Sequence, residues 1–118
     1  MKLEIETRDK GLLGEIFNEP EIANAKPIAL GEGIALKGLE WRFFKADGVS
    51  DVAIVLITVA ATIPATVAAN LITEWIQGRL KGHVTRATIE KNEISFDESQ
   101  IRKIVTEKIT EDRGSAQD

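Results

Sequence analysis

The sequence predicts an α+β fold: a small mixed sheet of about four strands, a long apolar central helix that is kinked or broken at Pro64, and an amphipathic C-terminal helix. Two observations carry this prediction. Short segments alternate apolar and charged residues, which is typical of half-buried strands, and other segments repeat apolar residues at helical spacing. The predicted order is β-α-β-α-β-β-α. The chain has 118 residues, the usual size of one domain.

The first elements are a short strand and a short helix. Leu3 and Ile5 alternate with glutamates, which predicts a half-buried strand. Apolar residues then recur at helical spacing, so we expect a helix over roughly 9–19 that ends near Pro20. The residues that define this helix are Leu12, Leu13, Ile16 and Phe17. A loop with Pro27, Gly31 and Gly33 should follow.

The longest predicted strand begins at Ile34. Its alternation changes phase at Gly38, where a β-bulge would restore it. The apolar positions on the two sides of this change are Ile34, Leu36, Leu39, Trp41 and Phe43.

The last part of the chain predicts a hairpin and a helix. Segments 84–89 and 94–96 flank the polar residues 90–93, which favours a hairpin. Asp97 and Gln100 then have the spacing of a capping box. One apolar face should follow on the helix, formed by Ile101, Ile104, Val105 and Ile109. We expect one domain over residues 1–112 and a flexible tail over 113–118.

The central segment, residues 52–72, contains no charged residue and is interpreted as a helix. Ala61, Ala65 and Ala69 form a row of small residues that would let a second helix approach closely, and Trp75 lies further along, just before Arg79 and Lys81. These four residues are the predicted interface. They would bind a protein partner or a second copy of the chain.

A polar stripe along this segment favours a helix buried in protein over one in lipid. The stripe contains Thr58, Thr62, Thr66, Asn70 and Glu74, at intervals of four residues. We expect its members to face outward or toward another helix, while Ile57, Val67 and Leu71 contact the strand residues Trp41 and Phe43.

The alternative is a membrane-associated protein. Residues 52–72 are long enough to cross a hydrocarbon core of roughly 30 Å. Pro64 argues against a continuous span, because proline removes a backbone donor and crowds the preceding turn. A cytoplasmic location, with membrane association as the alternative, is therefore the expectation.

Composition excludes several classes of function. The net charge of −4 and the dispersed basic residues argue against nucleic-acid binding. The chain has no cysteine, which excludes disulfides, thiolate metal sites and thiol nucleophiles. His83 is the single histidine, and no carboxylate lies at ligand spacing from it. We expect no catalytic residue, no cofactor and no metal.

Two segments suggest a family resemblance. They are residues 12–22, with the sequence LLGEIFNEPEI, and residues 71–79, with the sequence LITEWIQGR, which lies ahead of the predicted hairpin and last helix. Together with the order of elements, they resemble the effector-associated constant component family. These small proteins are associated with bacterial conflict systems, alongside peptidases and regulatory ATPases. The resemblance implies a non-enzymatic accessory role in bacterial defence and supplies no catalytic residue.

Overall fold

The computed structural model describes residues 1–17, 26–42 and 48–117, with the side chains of 115–117 left out. Within these ranges the chain forms one antiparallel sheet of six strands, in the order β2-β3-β4-β1-β5-β6, and three helices. The α+β class is confirmed, and the count of about four strands is wrong. The strands are β1 (Lys2–Thr7), β2 (Ile28–Gly31), β3 (Ile34–Arg42), β4 (Asp51–Val59), β5 (Arg86–Ile89) and β6 (Asn92–Glu93), and the helices are α1 (Leu12–Phe17), α2 (Ala65–Arg79) and α3 (Glu98–Gln117).

The central segment is not one helix. Residues Asp51–Val59 form β4, which lies between β3 and β1 in the middle of the sheet. Six of its nine residues are β-branched, and such side chains lose rotamer freedom in a helix and pack well in a pleated sheet. A central strand is in contact with neighbours on both sides, so a nearly continuous apolar run suits it as well as it suits a buried helix.

Pro64 marks the start of a helix instead of a kink within one. Residues 60–64 form a turn, Pro64 is the N-cap of α2, and the helix runs from Ala65 to Arg79. Proline is compatible with the beginning of a helix, where its missing N–H has no intrahelical partner to lose. Among the described helices, none combines the length and the apolarity that crossing a bilayer requires.

The sheet has an inner face and an outer face. Inner-face side chains in the middle of the four central strands are at most 1% exposed, whereas Trp41 and Val59 near the strand ends are half-buried. Together they join apolar residues of the three helices in one hydrophobic core. Helices α2 and α3 pack against each other in this layer. The inner-face residues of this core are Leu3, Ile5, Ile34, Leu36, Ala53, Val55, Ile57, Ala87 and Ile89.

Two local predictions for the strands hold in outline. The register of β3 against β4 shifts between Gly38 and Glu40, as the predicted bulge requires, and Leu39 is the extra residue. Strands β5 and β6 form a hairpin, but its turn is Glu90 and Lys91, so β6 lies within the predicted turn and the predicted second strand at 94–96 is wrong.

The C-terminal helix also follows its predicted pattern. Ile101, Val105 and Ile109 are buried, and Ile104 is half-buried against them. The capping box is half formed: the Gln100 N–H donates to Asp97 Oδ1 at 3.0 Å, but the Gln100 side chain accepts hydrogen bonds from Ser95 instead of Asp97. The helix continues to Gln117, and the Arg113 guanidinium donates to the backbone carbonyls of Ala60 and Ile63.

Two other predictions are corrected. The predicted loop near Pro27 contains strand β2 and a two-residue turn at Glu32 and Gly33. Helix α1 begins at Leu12, three residues later than predicted. The predicted end of this helix at Pro20, and Phe43 at the end of the longest strand, lie outside the described residues.

Candidate interaction surface

The outer face of β4 carries a row of three large aliphatic side chains, Val52, Ile54 and Leu56, which we call the apolar row. Their neighbours in sequence point to the core, because successive side chains of a strand alternate between the two faces. All three are half-buried, whereas the core residues beside them, Ala53 and Val55, are at most 1% exposed. Both faces of the central strand are therefore apolar, and the outer one is in partial contact with solvent.

Charged side chains flank the apolar row on both sides. Strand pairing places Lys2 and Lys37 opposite Leu56, and it places Glu4 and Glu40 opposite Ile54. Lysine thus lies on both sides of Leu56, which we call the lysine band, and glutamate lies on both sides of Ile54, which we call the glutamate band. All four charged residues are exposed. The two bands are two residues apart along the strands, or about 7 Å.

The bulge at Leu39 decides which residue joins the glutamate band. In an uninterrupted strand, Leu39 would be the next outward residue after Lys37. Because Leu39 is the extra residue, Glu40 lies opposite Ile54 on the outer face and Trp41 lies opposite Ala53, where it packs against the core. A β-bulge reverses the facing of every residue after it, so this one buries the tryptophan and exposes the glutamate.

Next to the glutamate band, at the level of Val52, the outer face carries charges of both signs. Val52 lies between Arg42 and Glu6, and Glu6 in turn lies opposite Arg86 on β5. The Arg42 Nε atom is 2.9 Å from Glu40 Oε1, and both side chains are largely exposed. Exposed ion pairs of this kind contribute little to stability, so the charges can exchange partners when another surface approaches.

The four predicted interface residues do not lie on one helical surface. Ala61 is exposed in the turn before α2, and Ala65 is the first residue of the helix and half-buried. Ala69 is 0% exposed within the core, so it has no surface to offer a partner while the domain is folded. Trp75 is half-buried and packs against the core. An interface at these residues remains a prediction, but its premise of one alanine row on one helix is wrong.

The polar stripe divides between two elements in the same way. Thr58 is on β4, Thr62 is in the turn, and Thr66, Asn70 and Glu74 are on α2; all five are exposed, as predicted. Of the residues expected to meet the strands, Ile57 is buried as a strand residue and Leu71 lies close to Gly31 of β2. Val67 is 46% exposed, so its predicted burial is wrong.

A separate polar depression lies where the end of β1, α1 and the C-terminal end of α2 meet. Asp9, Glu15, Arg79 and His83 line it, together with Leu12, Ile16 and Gly78. All four polar residues are exposed. The described residues contain no group of three or more His, Cys, Asp or Glu side chains placed to hold a metal ion.

The sequence does not predict the apolar row, because the run from 52 to 59 also fits a buried helix. Two signals could have identified it: the β-branched content of β4, and the alternation in β1 and β3 that places charges on one face of each. No family model matches the chain, and neither a curated protein nor a solved structure matches it.

Proposed function

We propose that this protein is a non-enzymatic interaction module that binds another protein surface through the outer face of its sheet. The observation that carries the proposal is the apolar row at the centre of this face. Val52, Ile54 and Leu56 form a contiguous strip of large aliphatic groups at the middle of a six-stranded sheet. An apolar centre surrounded by charged residues is the usual anatomy of a protein interface.

An ordinary solvent-facing sheet is the simpler explanation, and the composition of β4 argues against it. Long side chains such as Lys2 and Lys37 can cover neighbouring apolar groups with their aliphatic stems. A strand that merely faces water, however, usually alternates apolar and polar residues, as β1 does with Leu3 and Ile5 inside and charged residues outside. On β4 the alternation is absent until Thr58.

The surface is suited to a flat partner more than to a small molecule. Five spacings between strands of about 4.8 Å give a width of about 24 Å, and β4, with nine residues, is about 30 Å long. The edge strands β2 and β6 have only four and two residues, so the face is smaller than this rectangle and lies below the roughly 800 Å² per partner of a standard protein interface. The accessory role in a bacterial conflict system, which the resemblance implies, agrees with a module of this kind and stays a prediction.

Site-specific photo-crosslinking in the native cells tests the proposal. A photoreactive residue at Thr58, exposed on the outer face, should give a discrete crosslinked product, and one at Val67, exposed on α2, should give none. Adding Ile54→Lys to the Thr58 probe should abolish the product, because a charge would enter the apolar centre. If the Thr58 probe gives no product, or if Ile54→Lys leaves the product unchanged, the outer face is not the binding surface.

A further inference from the structure

We infer that the partner of the outer face is a second copy of the same chain, joined to the first in a two-fold symmetric, face-to-face sandwich of two sheets. This inference rests on the proposed function and adds the identity of the partner. The observation behind it is the order of charges along the strands, which makes the outer face complementary to itself in one orientation.

The complementarity follows from the lysine and glutamate bands. Consider a two-fold axis that lies in the plane of the interface, perpendicular to the strands and midway between the bands. This axis places the lysine band of each copy over the glutamate band of the other copy. Lys37 then faces the second copy's Glu40, and Lys2 faces the second copy's Glu4. Since the axis repeats every contact, four pairs of opposite charge surround the centre, where Leu56 faces the second copy's Ile54.

The geometry of packed sheets permits these contacts. Strands β1 and β3 are each about 4.8 Å from β4, and the bands are each about 3.4 Å from the axis, so all four pairs lie within about 6 Å of the centre. Aligned sheets cross at about 30° because of their twist, which displaces points at this radius by only about 3 Å. The sheets are about 10 Å apart, a gap that extended lysine and glutamate side chains span together.

The same bands exclude the other simple two-fold arrangement. An axis parallel to the strands would place β3 over β1 of the partner, so that residues at the same height along the strands face each other. Lys37 would then face Lys2 and Glu40 would face Glu4, so all four pairs formed by the two bands would be repulsive, and only the two Arg42–Glu6 pairs at the level of Val52 would be attractive. Like charges placed opposite each other across an interface suppress the wrong pairing. One orientation is therefore selected over the other by charge alone.

The aliphatic and the charged groups have different roles in this dimer. Burial of the apolar row supplies the affinity, because removing apolar surface from water is the main favourable contribution to association. The four ion pairs fix the orientation, since flanking charges determine register and specificity more than affinity. The pair between Arg42 and Glu40 within one chain is exposed, so Glu40 can accept the second copy's Lys37 as well.

Charge reversal tests the inference without touching the core. Sedimentation velocity of the purified chain should show a dimer at high concentration. In Lys37→Glu, both symmetry-related contacts with Glu40 become repulsive, and in Glu40→Lys both become repulsive with Lys37. Each variant alone should dimerise at least about tenfold more weakly than the unmodified chain.

Mixing the two variants provides the decisive measurement. A Lys37→Glu chain carries only glutamate at these two positions, and a Glu40→Lys chain carries only lysine, so the mixed pair regains both attractive contacts. An equimolar mixture should therefore form heterodimers at concentrations where each variant alone is mainly monomeric. Lys103→Glu and Glu107→Lys, which change exposed charges on α3, are the matched controls and should dimerise as the unmodified chain does.

The outcomes separate this inference from the proposed function. A monomer at every attainable concentration, or single variants that dimerise like the controls, or a mixture that stays monomeric, would overturn the two-fold sandwich. In that case, a crosslink from Thr58 to a different protein would keep the proposed function. A crosslinked product of twice the mass of the chain, lost in Lys37→Glu, supports both.

Discussion

The two faces of β4 differ in what covers them, although both are apolar. On the inner face, Val55 and Ile57 are at most 1% exposed because helices and neighbouring strands enclose them. On the outer face, Ile54 and Leu56 are half-buried, and they lie opposite charged residues of β1 and β3. Hydrophobicity alone does not distinguish a core position from a binding position. The two positions differ in the helices and strands that cover them, so the two faces should respond differently to the same substitution.

The largest expected difference is between adjacent residues of the strand. Val55→Lys places an ammonium in the closed core, which costs several kcal/mol and is comparable with the whole stability of a small domain, so the variant should not fold. Ile54→Lys places the same ammonium on the outer face between Glu4 and Glu40, so it should fold. Circular dichroism and thermal unfolding of the two variants compare them directly.

One outcome would contradict this difference between the two faces. Equal loss of structure in Val55→Lys and Ile54→Lys would mean that the outer face is enclosed as tightly as the inner face. The description of the apolar row as a binding surface would then be wrong.

The second prediction concerns Asp51, a buried acidic residue at the start of β4. Asp51 is 1% exposed, and the Lys10 ammonium lies 2.9 Å from its Oδ1 atom and 2.7 Å from the Val49 carbonyl oxygen. Lys10→Met keeps the length of the side chain but removes the charge. We expect a loss of about 2–3 kcal/mol in the free energy of unfolding, because a buried carboxylate that loses an ammonium partner is strongly disfavoured.

Urea unfolding measures this loss, and Lys103→Met is its control on α3, away from the outer face. Lys103 is exposed, so its substitution should change the free energy of unfolding by less than about 0.5 kcal/mol. Similar losses for the two lysines would show that Lys10 has no special role at the inner face.

The sequence predicted those elements whose periodicity is distinctive and failed where periodicity is ambiguous. Alternation identified β1 and the bulged β3, and helical spacing identified α3 with Ile101, Val105 and Ile109 on its buried face. Residues 52–59 lack alternation because the central strand is apolar on both faces, and an apolar run of this kind fits a buried helix equally well. The β-branched composition of this run favours a strand and is the signal that distinguishes the two structures.

The candidate surface could not be predicted before that assignment was corrected. The apolar row and the two bands exist only through the pairing of β4 with β1 and β3, which join residues far apart in the sequence. Register between distant strands depends on the whole fold, and a shift of one residue would move each side chain to the other face. The predicted bulge at Gly38 is present one residue later, at Leu39, but its consequence for Glu40 depends on the register.

The third prediction compares two glycines that share a backbone conformation and differ in their surroundings. Gly33 and Gly48 have φ of 83° and 79°, a region that favours glycine. A Cβ atom at Gly33 would lie 3.0 Å from Ile63 Cγ1 and 3.1 Å from Ala60 Cβ, whereas at Gly48 it would meet no atom of the described residues within 4 Å. Gly33→Ala should therefore cost about 1–2 kcal/mol more than Gly48→Ala in thermal unfolding.

Equal costs would indicate that backbone conformation alone, and not contact with the turn before α2, determines the effect at Gly33. A larger cost at Gly48 would contradict the open surroundings of that glycine.

The smallest effect is expected for Val67→Asp on the outward side of α2. Val67 is 46% exposed, so the aspartate would keep its water, and the helix has no acidic residue in its first turn. A carboxylate there interacts favourably with the helix dipole, and aspartate and valine have similar helix propensities. The change in the free energy of unfolding should stay within about 0.5 kcal/mol.

The adjacent Ala68 is 0% exposed, so Ala68→Asp should prevent folding. Dimerisation should be unchanged in Val67→Asp, because α2 lies in the layer opposite the outer face. Thermal unfolding and sedimentation of this variant measure both expectations, and a loss of either the fold or the dimer would place Val67 in a contact that the described structure does not contain.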